Sequence, residues 1–308
     1  MASLEERLRE ELHDWYDRLP ESWQGAIGDE LSLDFDAVDD EAWLDDDDRI
    51  WPQETNTNGP ASAHLFKAFQ DLAPSEVRVV IFGNDPYTRI TQATGRSFEQ
   101  GDLTDWASDL SVKGRVSPSL RSILCAAAAL NPSTAGYGLT DTRKLIEEDK
   151  SDGRRQPVWF CHYEFERAIE DGAITLPKPT EIFGHWARQG VLWLNRTLTY
   201  TKWLDENQQD THRASHQRLW APFTLQALTT IVEEAKTRPV VFVMWGSSAD
   251  DLAGIIENIR ESRNISPRNV LKVATGHPQW VEGYFRVGNP LAQINYALGP
   301  RASRIDWT

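Results

Sequence analysis

Four short apolar runs, separated by stretches of helical character, set the limits on what this chain folds into. Residues 78–83, 191–195, 240–248 and 270–278 are rich in Val, Ile, Leu and aromatic residues. Each is too short for a helix of ordinary length and reads as a short apolar strand. Between and beside them lie SPSLRSILCAAAALNP (117–132), a segment at 160–171, WAPFTLQALTTIVEEAK (220–236) and DDLAGIIENIRES (250–262). Strands buried on both sides and alternating with helices form a parallel sheet with helices on each face. The expected fold is therefore α/β, a three-layer α/β/α sandwich around a central, mainly parallel four-stranded sheet. The first of these helices has clear punctuation: Ser117 as cap, Pro118 in the first turn and Pro132 beyond the end.

The remainder of the chain reads less regularly. Residues 2–19 are expected to form an acidic amphipathic helix. Residues 20–60 read as a turn-rich surface arm, with Trp23, Trp43 and Trp51 as possible anchors. A helix is expected over 61–72, and 133–180 is polar and mixed. On this reading residues 1–60 are one unit and the α/β part, 61–308, is another.

Charge follows the same division. The net charge is −15, and residues 1–60 carry 19 acidic against 4 basic side chains, which accounts for all of it. The α/β part is neutral, so the overall acidity does not exclude a nucleic-acid partner. No run of about 18 apolar residues is present, so no transmembrane helix is expected. The acidic start lacks the basic and apolar blocks of a secretory signal, and a cytoplasmic protein is expected, nucleoid-associated in a prokaryote. Cys125 and Cys161 lie far apart without metal-ligand spacing, which points to reduced, buried thiols.

In open parallel sheets, ligands bind beyond the carboxyl ends of the strands. The residues at those four ends are Asp85, Asn195, Gly246-Ser247 after Trp245, and His277-Pro278. Each has an ordinary explanation as a turn former, a loop or a buried histidine. Together they place an acid, an amide, a small-residue turn and an imidazole on one edge of the sheet. That set suits hydrolysis of an N-glycosidic bond. A carboxylate near the anomeric carbon holds a water and stabilises the developing cation, and an imidazole donates to the base oxygen where negative charge collects. A primary amide both donates and accepts, and so can read the pairing edge of a pyrimidine. Phe98 is placed to stack on the base. No metal or other cofactor is called for.

The same residues resemble the uracil-DNA glycosylase superfamily, most closely its family 1. GNDPY (83–87) resembles the family's water-activating motif, QATGRSF (92–98) the segment ending in its stacking Phe, and SPSL (117–120) its phosphate-contacting loop. WARQGVLWLN (186–195), SHQRLWAPFT (215–224), VVFVMWGS (240–247), GHP (276–278) and IDW (305–307) are also similar, in order, over residues 61–308. The resemblance implies that Asp85 orients the attacking water, His277 donates to the pyrimidine O2, Asn195 holds the pairing edge and Phe98 stacks. Tyr87 would sit against C5 and exclude thymine, with Asn84 beside it. The loops of Ser117, Pro118 and Ser119, of Gly246 and Ser247, and of His277 and Pro278 would contact DNA phosphates through backbone amides. The base has to be flipped from the duplex.

The departures cluster at the pocket. Asn84 stands where the family has Gln, and Thr88 where it has His. The loop HPQWVEGYF lacks the family's wedging Leu, leaving Gln279, Trp280 or Val281 to fill the gap in the duplex. Residues 131–182 form a longer connection than the family's. Two substrate readings follow: uracil in base-excision repair, or, slightly favoured by the altered pocket, a modified pyrimidine such as a hypermodified phage base, excised in antiviral defence. The expected protein is a monomeric, monofunctional DNA glycosylase acting on DNA. The alternative is a binder of modified or damaged DNA that does not cut. A metal-dependent nucleoside hydrolase finds no support, since the Asp-rich run lies outside the α/β part. That run is expected to be a solvated surface, with a DNA-mimicking arm across the cleft as the alternative. His212 and His216 are given no catalytic role.

Overall fold

The four apolar runs form one sheet. In this computed structural model the strands are β1 (Val79–Gly83), β2 (Val191–Asn195), β3 (Val240–Trp245) and β4 (Val270–Thr275), in the order β4-β3-β1-β2 and all parallel. The structure describes residues 2–45, 49–141, 143–146, 148–149, 158–202, 208–246, 250–300 and 303–308. Successive side chains of a strand point to opposite faces, and the sequence fills both. Val80, Phe82, Leu192, Leu194, Phe242 and Met244 enter one buried cluster, while Val79, Ile81, Val191, Trp193, Val241 and Val243 enter another. That double burial is why β1 to β3 are so uniformly apolar, whereas the edge strand β4 exposes Lys272 and Ala274. The expected three-layer sandwich is what the chain adopts.

The amino-terminal helices α1 (Leu4–Glu11) and α2 (Glu21–Ile27) contribute to the first cluster, through Leu4, Leu8, Trp23 and Ile27. Ser3 caps α1 in a capping box with Glu6, and the helix ends at Glu11 instead of continuing to residue 19. Trp23 is fully buried, and its indole donates to the Leu72 carbonyl at 2.7 Å. Trp51 is also buried, whereas Trp43 is 43% exposed and anchors little. No helix spans 61–72. The segment makes turns and one 3₁₀ turn at Lys67–Phe69, because the His64 amide donates to the Thr94 carbonyl and its ring accepts from the Phe66 amide. Local side-chain bonding of that kind competes with the helical ladder.

On the second face lie α3 (Trp106–Ser111), α4 (Pro118–Ala128), α5 (Phe160–Glu170) and α6 (Pro179–Ala187). Ser117 caps α4 through a bond from the Leu120 amide at 3.3 Å, as its sequence predicts. The helix before β3, α7, runs Gln209–Glu234 and so begins well before Trp220, passing through Pro222. Its extra turns are held by burial of His212, Ser215, His216 and Leu219. Then come α8 (Asp250–Ser262), α9 (Val281–Phe285) and α10 (Pro290–Leu298). Among the described residues, no helix is long and apolar enough to cross a membrane.

The sheet order reverses between β1 and β3: β1 connects outward to β2, whereas the chain then returns to the other side of β1 for β3 and β4. A crevice opens at such a point beyond the carboxyl ends.

Candidate active site

That crevice holds a cavity of about 660 Å³. Asn84, Asp85, Tyr87, Phe98, Asn195, Gly246 and His277 all line it, with Ser117, Pro118, Ser119, Gln279 and Trp280 at its walls. The exits of four strands, far apart in sequence, thus meet around one space. Pro278 is buried and is not part of the lining, and Ser247 lies outside the described residues.

β1 and β2 bring the first two groups together. Gly83 and Asn195 are register partners, and the pairing continues outward through Arg196 N–H to the Gly83 carbonyl and Thr197 N–H to the Asn84 carbonyl, at 3.0 and 3.1 Å. Asp85 therefore leaves β1 beside the end of β2. Asn195 is buried, and its amide makes no hydrogen bond among the described residues. An unengaged amide in a buried site is costly unless a ligand completes it.

Asp85 is heavily bonded. Its Oδ2 accepts from Arg213 Nε and Nη2 at 2.9 and 2.6 Å and from Asn84 Nδ2 at 2.9 Å, while Oδ1 accepts from the Thr197 hydroxyl at 3.2 Å. Asn84 thus turns toward the carboxylate. The sequence reading missed Arg213 and Thr197. Arg213 lies on α7 one turn after Gln209, another lining residue, and that i, i+4 polar pair is the one sequence trace of its position.

Phe98 has φ of 61°, a left-handed conformation that costs a bulky residue energy. Its neighbours hold it there: Ser97 N–H donates to the Trp193 carbonyl, Ser97 hydroxyl to the Ile81 carbonyl, and buried Arg96 is paired with Asp71 and Glu99. The ring meets Trp193 and Trp245 edge-on and lies 6.0 Å from the His277 ring. Tyr87 closes the same side. Its hydroxyl donates to the Phe98 carbonyl at 3.1 Å and shares a 2.8 Å bond with Ser117 Oγ, and burial pushes the phenol well above its usual range. From behind, Trp51 donates to the Tyr87 carbonyl at 2.8 Å and packs on Tyr200. The amino-terminal segment is therefore a support for the pocket wall, and none of its described residues lines the cavity.

His277 follows Gly276, which packs so closely on Gly283 that a Cβ would lie 2.5 Å from the Gly283 carbonyl carbon. Its Nδ1 accepts the Gln279 amide at 3.2 Å, which assigns the proton of the neutral ring to Nε2. Burial lowers the imidazole's pKa, so the neutral ring is the resting form at pH 7. Of the proposed wedge residues, Val281 is buried, whereas Gln279 is exposed and Trp280 is 70% exposed at the cavity mouth.

The loop amides are less open than the sequence suggests. Those of Ser117, Gly246, Gln279 and Trp280 donate to Gln100, Thr275, His277 and His277 respectively, and Pro118 and Pro278 have none. Ser119, in the first turn of α4, keeps an amide outside the helical ladder. His212 and His216 sit outside the cavity lining, bonded to Thr199 and Thr201. Away from the site, Cys125, Cys161 and His162 bring ligand-type atoms within 4.8 Å of one another. There Cys125 Sγ donates to the Cys161 carbonyl, and burial raises the Cys125 thiol well above its normal range, so this thiol stays protonated.

No family model matches the chain. It is 27% identical over 294 residues to the uracil-DNA glycosylase 2 of Streptomyces coelicolor, covering 94% of this chain and 95% of that protein. It is 28% identical over 252 residues to the uracil-DNA glycosylase of Pediococcus pentosaceus, covering 80% and 79%. A mutant form of the UNG of Nitratifractor salsuginis, solved as a crystal structure, aligns with a TM-score of 0.54 at 19% identity, over 94% of this chain and 97% of that one. In sequence and in fold, the chain resembles the uracil-DNA glycosylase superfamily. The expectation from the motifs is borne out at that level.

Proposed function

We propose that this protein is a monofunctional DNA glycosylase that takes a non-standard pyrimidine out of the duplex and hydrolyses its N-glycosidic bond, leaving an abasic site. The convergence of Asp85, Asn195, Phe98 and His277 on one cavity carries the reading. Asp85 holds the water and faces the cationic sugar. The Nε2–H of neutral His277 donates to the base oxygen that gains charge as the bond breaks. Asn195 has both halves of its amide available for the pairing edge, and Phe98 lies against the ring. Among the described residues no lysine lines the cavity, which fits hydrolysis by water without a Schiff base. The protein works on DNA as a monomer in the cytoplasm.

Uracil is the base the pocket supports best. Tyr87 is fixed at both ends of its hydroxyl and cannot swing aside for a C5 substituent without losing those bonds, and the curated relatives named above are uracil-DNA glycosylases. One observation favours the second reading, a modified pyrimidine excised in defence against phage. The cavity extends past the base-reading groups to Thr88, Gln209 and Tyr200, leaving room for a larger group.

The experiment is incubation with duplex DNA carrying uracil, 5-hydroxymethylpyrimidine or glucosylated pyrimidine. Released base and alkali-labile sites are then measured. Release that Asp85→Asn abolishes, with DNA binding intact, supports the enzyme. Binding to such DNA without release from any of the three is the signature of a non-cutting binder.

A further inference from the structure

The carboxylate at the centre of the site is held asymmetrically. Among the described residues, Oδ2 of Asp85 accepts three donors, two from the Arg213 guanidinium and one from Asn84, while Oδ1 accepts only the Thr197 hydroxyl. An ionised carboxylate offers about four lone-pair sites, two on each oxygen. Oδ2 is therefore saturated, and Oδ1 keeps one site open. We infer that Arg213 is a positioning residue for the hydrolysis: its guanidinium fixes the Asp85 carboxylate so that Oδ1 is the oxygen that holds the attacking water. The inference rests on the reading of Asp85 as the water-holding group.

The helix that bears Arg213 is anchored for this task. His212 Nδ1 bonds to Thr201 Oγ1 at 3.0 Å, and His216 bonds to Thr199 and Thr201 at 2.8 and 3.0 Å. Those threonines follow β2, the strand that also delivers Asn195 and Thr197. Arg213 and Thr197 therefore reach Asp85 from one braced unit, and a guanidinium, with its donors in a fixed planar fork, holds a carboxylate more rigidly than an ammonium does. The Asp85 side chain is only 11% exposed, against 36% for Arg213, so the carboxylate is the more buried partner of the pair. The competing use of such a cation, a contact to a DNA phosphate, would fall to Nη1, since Nε and Nη2 are both engaged on Asp85.

The test compares wild type, Arg213→Ala, Arg213→Lys, Asp85→Asn and the Asp85→Asn/Arg213→Ala double variant. Single-turnover release at saturating DNA is measured with the base that the wild type excises, alongside DNA affinity and its salt dependence. Misplacing a reacting group by about 1 Å costs on the order of 100-fold in rate. Arg213→Ala is expected to lose about that much at unchanged affinity. Added methylguanidinium restores part of its rate, Arg213→Lys recovers little, and the double variant is no slower than Asp85→Asn alone. A purely structural role would not respond to methylguanidinium. An undiminished saturating rate in Arg213→Ala, or a loss confined to affinity and salt slope, overturns the inference and makes Arg213 a phosphate contact or a bystander. If Asp85→Asn abolishes release while Arg213→Ala does not, the positioning role alone falls. If Asp85→Asn leaves release intact, the reading of the site falls with it.

Discussion

Gly83 and Asn195 face each other at the ends of adjacent parallel strands, and the Asn195 amide lies in the space a side chain at 83 would need. A Cβ on Gly83 would collide with Asn195 Oδ1 and come within 2.6 Å of the Ser97 Cβ. Both contacts belong to the pocket: one to the Asn195 amide that lines it, the other to the turn that carries Phe98. Gly83→Ala is thus expected to displace the base-reading group while the sheet below it still forms. Base release should fall by about 100-fold or more, with a smaller effect on thermal stability. Release at the wild-type rate would show that Asn195 is not held where the reaction needs it.

Buried histidines make a separate, pH-dependent forecast. Burial pushes both His162 and His216 down to about 3, from an ordinary 6.5. Below pH 6.5 the unfolded chain takes up protons at these sites that the folded protein refuses. Their contribution to stability is thus complete above 6.5 and is lost progressively as pH falls toward 3. The melting temperature should drop from pH 7 to pH 4, and ring NMR signals of both residues should not titrate between pH 5 and 8. His216→Gln should flatten part of the acid slope while lowering stability at neutral pH. A normal titration of either ring near 6.5 would contradict this account.

The proposed function makes Tyr87 the residue that selects the base. The ring is pinned through its hydroxyl to the Phe98 carbonyl and Ser117 Oγ. Tyr87→Ala is expected to raise release of C5-substituted pyrimidines relative to uracil, measured with paired oligonucleotides. Tyr87→Phe keeps the ring, and so the exclusion, but loses about 1 kcal/mol of stability with the hydroxyl. Unchanged selectivity in Tyr87→Ala would move the discriminating contact elsewhere.

The parts legible in the sequence were those written in local pattern. β1 to β3 are strongly apolar because both faces are covered, and Ser117-Pro118 marks a helix start by its own chemistry. The strand exits were legible too, since topology alone sends Asp85, Asn195 and His277 to one edge. What stayed hidden depends on contacts between distant segments. Arg213 matters only because α7 begins eleven residues before its apolar pattern suggests, which follows from His212 and His216 finding Thr199 and Thr201. The engaged state of the Ser117 and Gly246 amides depends on Gln100 and Thr275, which no motif connects to them. The amino-terminal segment was legible in part. Its charge lies outside while Trp23 and Trp51 pack inward, the latter behind Tyr87.

Trp280 supplies the last forecast. A large aromatic side chain 70% exposed at the lip of a cavity contributes little to the fold, and its neighbour Val281 takes the buried place in the loop. An exposed apolar group of that size beside a base pocket suits insertion into the stack that a flipped base vacates. Flipping costs a few kcal/mol in a duplex and less in a single strand. Trp280→Ala should accordingly slow release from duplex DNA by about tenfold or more, the equivalent of about 1.4 kcal/mol. Release from the same base in single-stranded DNA should stay within about twofold, because there is little stack to replace. The comparison separates insertion from a direct role in chemistry, which would slow both substrates equally. It also separates Trp280 from Gln279, whose amide nitrogen is tied to His277 but whose side chain is exposed. Gln279→Ala should spare the duplex rate if the indole alone fills the gap.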